Sequence, residues 1–207
     1  SGSGNHWTIS GLAAVDVGPD SPTNSFATFN AIDLGTGGIL TDGNLGYVTS
    51  NTFTGVTATI GTTGKAYYEC SSLNLSGGNV AGFVNTTAGL ININTGNYFA
   101  QAGYYGVIWT GSGALTYING SQGSYIGTIS DLMIQFAVDA TTGKCWVGSG
   151  GTWFGSGNPA TGANPAWTIP VSAGDVIVPA FCCGPAPYDL RVNFGQESTF
   201  AGALSAG

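Results

Sequence analysis

The ten carboxylates are the side chains best suited to acid–base chemistry in this sequence, and their spacing does not predict a catalytic pair. Hydrolysis of a glycosidic bond needs two carboxylates about 5–9 Å apart, on either side of that bond. The two glutamates, Glu69 and Glu197, are far apart in the chain, and most aspartates lie in turn contexts such as Asp42-Gly43. No run shows the Glu-x-Asp-x-Glu alternation that places acids on one face of a strand. A glycoside hydrolase is therefore the less favoured interpretation.

Nucleophilic catalysis would lack a base. A serine or cysteine nucleophile is activated by a neighbouring group, most often histidine. The only histidine is His6, near the N-terminus, and there is no Gly-x-Ser-x-Gly elbow followed by a helical pattern. Glycine-rich runs such as Gly148-Ser149-Gly150 also lack the helix that would bind phosphate. We predict that the chain is not an enzyme, has no catalytic residues and needs no cofactor.

The four cysteines do not have the spacing of a zinc site. Zinc sites use pairs separated by two to four residues, whereas Cys70 and Cys145 are single and Cys182-Cys183 are adjacent. We interpret all four as small buried apolar side chains and as thiols, with disulfides as the alternative that an even number allows.

A calcium site would need several oxygen ligands from neighbouring loops. Four residues are candidates for it: Asp131, Asp139, Asp175 and Asn158. There is no Asp-x-Asp-x-Asp-Gly loop. We therefore interpret these aspartates as residues that hydrogen-bond the backbone of their own turns, and we predict no metal site.

Aromatic side chains beside turns are the best candidates for ligand contact. Loops on a rigid scaffold carry most binding residues, and flat rings offer apolar faces to sugars or protein anchors. Trp167, flanked by Pro165 and Pro170, is expected to be exposed, whereas Trp146 is expected to fill the core. For Trp109 and Trp153, core filling is an equal alternative. The predicted ligand-binding residues are Tyr104, Tyr105, Trp109, Trp153, Phe154, Asn158, Trp167 and Tyr188.

Composition excludes several classes of protein. Only 6% of the residues are charged and 43% are hydrophobic, the reverse of a disordered chain. The net charge is −7, and the three cations, Lys65, Lys144 and Arg191, are too few and scattered to bind a phosphate backbone. We therefore predict no nucleic-acid partner. No window of eighteen apolar residues exists, so we also predict no membrane insertion.

Short apolar runs separated by turn residues indicate an all-β fold, and residues that favour helices are scarce. Period-two alternation predicts that Leu132, Ile134, Phe136 and Val138 are buried, together with Val192 and Phe194. Asp42-Gly43-Asn44 predicts a tight turn. The predicted strands are 53–60, 65–75, 79–85, 104–109, 114–119, 131–139, 144–148, 152–154, 176–183 and 189–194.

The length of 207 residues suits one domain with a sizeable core. We predict a linker or N-terminal extension over 1–15, a single sandwich domain over 16–197 and a small-residue tail over 198–207. We expect this domain to have been excised from a longer polypeptide.

Five runs resemble motifs of the SPRY family in the same order, over roughly residues 38–196. They are Gly64 to Glu69 (GKAYYE), Val80 to Phe83 (VAGF), Tyr105 to Trp109 with Tyr117 to Gly120, Val138 to Trp146 with Gly151 to Trp153, and Arg191 to Gln196 (RVNFGQ). Cys70 and the stretch Gly148 to Gly150 depart from the family pattern. The resemblance implies a two-sheet antiparallel β-sandwich, a concanavalin-like jelly roll, used for binding rather than catalysis.

Other segments resemble SPRY-like domains of bacteriophage structural proteins: Asp20 to Asn30, Leu40 to Leu45, and the loop Gly157 to Ala166. This implies a module of a phage virion protein of the tail or fibre type, assembled in the reducing bacterial cytoplasm. The expected partners are a host-surface glycan or protein, or other virion subunits, with a homo-oligomer in the assembled particle. The alternative is a cellular SPRY domain that binds a short peptide, and a lectin is less favoured.

Overall fold

The computed structural model describes residues 25–49, 53–72, 78–86, 98–110, 113–129, 133–184 and 189–196, and the pairs 199–200 and 204–205. Within them the complete helical elements are three 3-10 turns of three residues each, at Asp42–Asn44, Tyr98–Ala100 and Phe154–Ser156. The strands are β1 (Phe29–Leu34), β2 (Gly38–Thr41), β3 (Gly46–Thr49), β4 (Thr54–Ala58), β5 (Lys65–Ser72), β6 (Asn79–Asn85), β7 (Tyr104–Thr110), β8 (Gly113–Ile118), β9 (Ser121–Thr128), β10 (Met133–Asp139), β11 (Lys144–Ser149), β12 (Thr152–Trp153), β13 (Trp167–Thr168), β14 (Ile177–Cys183), β15 (Asp189–Asn193), β16 (Thr199–Phe200) and β17 (Leu204–Ser205).

The strands form two antiparallel sheets. The first has the order β1-β4-β14-β6-β7-β8-β9, and the second has the order β12-β11-β10-β5-β15-β3-β2, with β13 also paired to β11. The pair β16-β17 forms a separate two-stranded hairpin. The predicted all-β, two-sheet antiparallel sandwich is therefore confirmed.

Aromatic side chains from both sheets meet in the core. Tyr68 of β5 stacks on Phe136 of β10 at a ring-centroid distance of 4.9 Å. It also meets Phe83 and Phe181 of the facing sheet edge-on, at 5.4 and 5.3 Å. The Tyr68 hydroxyl donates to the carbonyl of Gly82 at 2.9 Å, so the one polar atom of this ring has a partner in the facing sheet. Tyr68 thus joins the two sheets.

The predicted inward faces agree with the structure. Ile134, Phe136 and Val138 of β10 are buried, as is Val192 of β15. Phe194 is half-buried and packs against the same cluster, and Leu132 lies outside the described residues. All four cysteines are buried and free.

The ten predicted strands are all present, with ends that shift by one to a few residues. The strands that the sequence does not predict are β1, β2, β3, β9, β13, β16 and β17. β9 lies at a sheet edge and is mostly exposed, so its sequence carries little of the alternation that reveals a buried face. The turn predicted at Asp42-Gly43-Asn44 connects β2 to β3, and all three residues have positive φ, which Asp, Gly and Asn tolerate best. The predicted domain boundaries near residues 15 and 197 lie outside the described residues and stay predictions.

Candidate functional site

A row of three residues on the outer face of the second sheet forms a slot with an aromatic wall on each side. Ala137 of β10 is paired with Tyr67 of β5 on one side and with Trp146 of β11 on the other. Adjacent strands are about 4.8 Å apart, so the two aromatic residues arise roughly 10 Å apart with only a methyl group between them. This face lies opposite the core because Tyr68, Phe136 and Cys145, each one residue away in sequence, point inward.

The slot is a cavity of about 330 Å³. Its floor is Ala137, its walls are Tyr67, Trp146 and Trp153, and its roof includes Pro159 and Ala160. We call this set the aromatic slot. Lys65 and Asp139 line its mouth.

Two of the three wall residues, Trp146 and Tyr67, are each fixed by a hydrogen bond from the polar atom of the side chain. The indole Nε1 of Trp146 donates to the carbonyl of Ala163 at 2.7 Å, and the hydroxyl of Tyr67 donates to Oε1 of Glu69 at 2.6 Å. The Tyr67 ring also meets Trp153 edge-on at a centroid distance of 6.2 Å. Tyr67 nevertheless stays 48% exposed. The slot therefore offers aromatic surface that is ordered before any ligand arrives, which lowers the entropic cost of binding.

A polar row crosses the same face next to the slot. Asn193, Glu69, Gln135, Gly148 and Trp153 occupy successive strands in register. The Glu69 carboxylate is 4% exposed and accepts hydrogen bonds from Tyr67 and from Nδ2 of Asn193, the latter at 3.3 Å. Burial raises the pKa of the Tyr67 phenol, and the hydrogen bond and charge of Glu69 raise it further. Tyr67 is therefore a neutral hydrogen-bond donor across the physiological range.

Gly148 makes room for this row. A Cβ atom at Gly148 would lie 2.8 Å from Nε2 of Gln135 and would also clash with the carbonyl of Thr152. The glycine that departs from the SPRY pattern in sequence therefore lets the buried Gln135 amide sit between Glu69 and the β12 strand.

A charged row formed by Lys65, Asp139 and Lys144 in register lies beside the slot, and the first two of these residues line its mouth. Oδ1 of Asp139 accepts hydrogen bonds from Thr141, from Oγ1 at 2.6 Å and from the backbone N–H at 3.0 Å. The Thr141 hydroxyl is the main cause that lowers the pKa of Asp139, and the charge of Lys65 adds to it. Lys144 Nζ donates to the carbonyl of Gly162 at 3.1 Å. Lys65 makes no side-chain hydrogen bond or ion pair with any residue that the structure describes.

The segment 154–166 forms the roof. Asn158 and Ala163 exchange two backbone hydrogen bonds at 3.0 and 3.1 Å, and Oδ1 of Asn158 accepts from the N–H of Thr161 at 3.1 Å. The segment is anchored to the sheet by Lys144 and Trp146, and by the N–H of Ala166, which donates to the carbonyl of Cys145 at 2.8 Å. The roof is thus an ordered loop without regular strands.

The predicted ligand-binding residues divide into two groups. Trp153 lines the slot, and Phe154 and Asn158 belong to the roof, although the Asn158 side chain bonds its own turn. The other described residues are interior: Tyr104, Tyr105, Trp109 and Trp167. Tyr188 lies outside the described residues.

The predicted exposure of Trp167 is wrong. The residue is 6% exposed because β13 pairs it with Cys145 of β11, which turns its ring into the core cluster. Two nearby prolines indicated a loop correctly but did not indicate which way the ring points. Trp109 is in the core, as its alternative interpretation has it. Trp146 is buried as predicted, but under the roof rather than between the sheets.

The sequence analysis did not predict five residues of the site: Lys65, Tyr67, Glu69, Ala137 and Trp146. A signal for Tyr67 was available. Glu69 is two positions away and a charged residue in a strand normally faces outward, so Tyr67 had to share its face while Tyr68 pointed inward.

The described part of the chain contains no group of three or more His, Cys, Asp or Glu side chains placed to hold a metal ion. Of the calcium candidates, Asp139 and Asn158 bond their own turns, and Oδ2 of Asp175 accepts from the N–H of Ser172 and from Asn85. Asp131 lies outside the described residues. In the described residues we also find no helix with the length and apolar character needed to cross a bilayer.

Of the comparisons with known proteins, the one with solved structures identifies the architecture. No family model and no curated protein matches the sequence. Among solved structures, the crystal structure of the TRIM65 PSpry domain matches with a TM-score of 0.61 at 12% identity, over 82% of this chain and 90% of that one. The SPRY domain of human HERC1 matches with a TM-score of 0.58 at 14% identity, over 82% and 99%.

The stonustoxin structure matches with a TM-score of 0.57 at 15% identity, over 82% of this chain and 27% of that one. Sequence identities this low carry information on the fold alone. The chain has the two-sheet β-sandwich fold of SPRY domains.

Proposed function

We propose that this chain is a non-catalytic recognition module that binds its ligand in the aromatic slot. The observation that carries this proposal is the fixed position of the slot walls. Tyr67 and Trp146 are each held by a hydrogen bond, yet Tyr67 and Trp153 keep part of their surface open to solvent. Large, partly exposed and ordered aromatic rings are the residues that most often dominate binding free energy.

The state of the carboxylates near the slot supports a role without catalysis. Glu69 is buried and bonded to Tyr67 and Asn193, and Asp139 is bonded to Thr141. A glycosidase needs one free carboxylic acid and one free carboxylate facing a bound sugar. Asp139 is the one carboxylate that lines the slot, so the described lining does not supply the pair.

For the setting, we propose a virion protein of the phage tail or fibre type, with a host-surface glycan or protein as ligand. The resemblance of residues 20–30 and 157–166 to phage proteins supports this setting, as does the very low fraction of charged residues. Four buried free cysteines are in keeping with assembly in a reducing bacterial cytoplasm. Packing against other virion subunits, including copies of this chain, is the structural variant of the same proposal.

The test compares two variants of the purified chain, Trp153→Ala in the slot and Tyr125→Ala on β9. Tyr125 is 64% exposed and lies outside the slot, so it controls for the loss of an exposed aromatic ring. Binding is measured on a glycan array of bacterial surface polysaccharides and by competition with phage adsorption. We expect Trp153→Ala to weaken binding about tenfold, or ~1.4 kcal/mol, and Tyr125→Ala to have no effect.

Equal binding by wild type and Trp153→Ala would show that the slot is not the site. Binding to linear peptides with no signal from any glycan or bacterial cell would favour the cellular SPRY alternative, whose fold is the same.

A further inference from the structure

We infer that the first half of β5 is a docking site for an extended segment of a partner polypeptide, which adds to the second sheet beside Tyr67 and inserts one uncharged apolar side chain between the two sheets. This inference goes beyond the proposed function, because it concerns a second cavity and does not depend on a ligand in the aromatic slot.

Strand β5 is paired on both sides over only part of its length. β10 pairs with residues 65–71 of β5, whereas β15 pairs only with residues 69–72. After Asn193 the chain leaves the sheet, because Gly195 has a φ of 110° and its N–H binds Oδ1 of Asn193. Among the described residues, no other strand pairs with residues 65–68 on the side that β15 leaves. We call this place the β5 gap.

The register shows which backbone groups face the β5 gap. The N–H of Ala140 donates to the carbonyl of Gly64 at 2.8 Å, so the carbonyl of Gly64 points towards the β10 side. Successive residues of an antiparallel strand direct their N–H and C=O groups alternately to the two sides. Lys65 and Tyr67 therefore direct theirs into the β5 gap, and none of the described residues bonds these groups there. Unpaired backbone groups of this kind are what an added strand binds.

A cavity of about 250 Å³ lies beside the β5 gap, between the two sheets. Its lining includes Tyr68 of β5, Phe83 of β6, Pro179 of β14 and Phe194, and no charged residue belongs to the described lining. An apolar cavity of roughly 150 Å³ holds one benzene ring. This cavity therefore has room for one aromatic side chain, and a charged side chain would find no partner in the described lining.

Hydrogen bonds hold parts of this lining in place. Nε2 of Gln196 donates to the carbonyl of Ala27 at 2.7 Å, and its Oε1 accepts from the N–H of Phe194 at 2.6 Å. The carbonyl of Thr28 accepts from the N–H of Thr59 at 2.8 Å. The segment that precedes β1 is thus tied both to the end of β15 and to the loop after β4, and an ordered lining lowers the entropic cost of binding.

The β5 gap and the cavity together fit one kind of ligand. A strand that runs in the direction of β15 exchanges backbone hydrogen bonds with Lys65 and Tyr67 through two residues that are separated by one. Residues opposite each other in a sheet share a face, so the middle residue points inward as Ala66 does, into the cavity. In strand addition the main chain supplies affinity, and a pocket for alternate side chains supplies selectivity. A small apolar molecule would fill the cavity but leave the backbone groups unpaired.

The test uses the blocked tripeptide Ac-Ala-Phe-Ala-NH2 and the same tripeptide methylated at both alanine nitrogens. Binding is measured by NMR titration of the purified chain. We expect the unmethylated tripeptide to bind, and the methylated one to bind at least about tenfold more weakly because two backbone hydrogen bonds are lost. Ac-Ala-Glu-Ala-NH2 should also bind more weakly, since its charged side chain would enter an apolar cavity.

Two matched variants locate the site. Ile60 lines the cavity and is 47% exposed, and Ile39 of β2 lies outside it and is 53% exposed. Ile60→Lys adds a charge to the lining, so we expect it to weaken binding of the tripeptide about fivefold or more. Ile39→Lys adds the same charge elsewhere and should leave binding unchanged. The NMR spectrum of each variant shows whether it is folded.

The inference is overturned if the unmethylated tripeptide does not bind, or if the methylated tripeptide binds equally well. Trp153 lines the aromatic slot but not this cavity. Loss of tripeptide binding in Trp153→Ala would therefore place the tripeptide in the slot and would also overturn the inference. The proposed function is judged separately, by the glycan binding of Trp153→Ala, so either one can fail while the other stands.

Discussion

Tyr67 and Tyr68 are neighbours in the chain and act on opposite faces of the same sheet. Tyr68 lies in the core and donates its hydroxyl to Gly82 of the facing sheet, whereas Tyr67 forms a wall of the aromatic slot and donates to Glu69. Burial raises the pKa of both phenols. The two residues differ in role only because successive side chains of a strand point in opposite directions.

Exchange of the single sulfur atom of Cys145 for oxygen shows how much the stability of the core depends on one buried side-chain atom. The residue is fully buried, and its Sγ lies 3.6 Å from the carbonyl of Gly143. We expect Cys145→Ser to lower the free energy of unfolding by about 1–3 kcal/mol, because the shorter hydroxyl is buried without a well-placed acceptor. Urea denaturation of wild type, Cys145→Ser and Cys145→Ala measures this. Alanine lacks the hydroxyl, so a serine variant as stable as wild type, or clearly more stable than alanine, would contradict the explanation.

At the scale of elements, the shape of the slot depends on the close pairing of the short strand β12 with β11. Gly148 of β11 faces Gln135 on one side and Trp153 on the other, and a side chain at this position has no room. The position of Trp153 is therefore set by a glycine on the neighbouring strand.

We expect Gly148→Ala to lower the free energy of unfolding by about 1–3 kcal/mol and to weaken ligand binding at the slot. The added methyl group would force the carbonyl of Thr152 and the Gln135 amide to move, and Trp153 with them. Gly64→Ala is the matched control, since a Cβ at Gly64 meets nothing within 4 Å and φ there is not positive. Thermal unfolding and glycan binding are measured for both. Equal behaviour of the two variants would mean that β12 accommodates the methyl group without moving Trp153.

The same elements show what the sequence can and cannot predict. Strands with an apolar face, such as β10 with Ile134 and Phe136, are predictable because period-two alternation survives in the sequence. The edge strand β9 is not, since its stability comes from backbone pairing with β8 rather than from a buried face. The slot itself depends on the register between β5, β10 and β11, which brings together residues up to 79 positions apart, Tyr67 and Trp146. Register is a property of the sheet and is not written in any one segment.

For the whole molecule, buried thiols and phenols make stability depend on alkaline pH. Burial raises the pKa of Cys70, Cys145, Cys182 and Cys183, and also that of Tyr68. In the unfolded chain a thiol ionises near pH 8.5. Above that pH the unfolded state has lost protons that the folded state keeps, so the free energy of unfolding falls as pH rises.

We therefore expect the urea midpoint to be constant between pH 7 and about pH 8 and to fall steadily from pH 9 to 10.5. Cys182→Ala removes one of the thiols that ionise on unfolding, so its midpoint should fall less steeply over the same range. A midpoint that stays constant up to pH 10.5 would contradict the burial of the thiols in the folded state. Measurements in the presence of a reductant exclude effects of thiol oxidation.

The roof of the slot has a consequence for how the specificity of this protein changes during evolution. Its anchors to the sheet end on main-chain atoms: Lys144 on the carbonyl of Gly162, Trp146 on the carbonyl of Ala163, and the N–H of Ala166 on Cys145. A backbone carbonyl group is present at every residue, whatever its side chain, and a backbone N–H is present at every residue except proline. Mutations at exposed roof positions such as Ala160 and Thr161 therefore alter the surface that a ligand meets while the anchors persist. The sheet provides a constant half of the site, and the roof provides a half that mutation can diversify towards new ligands.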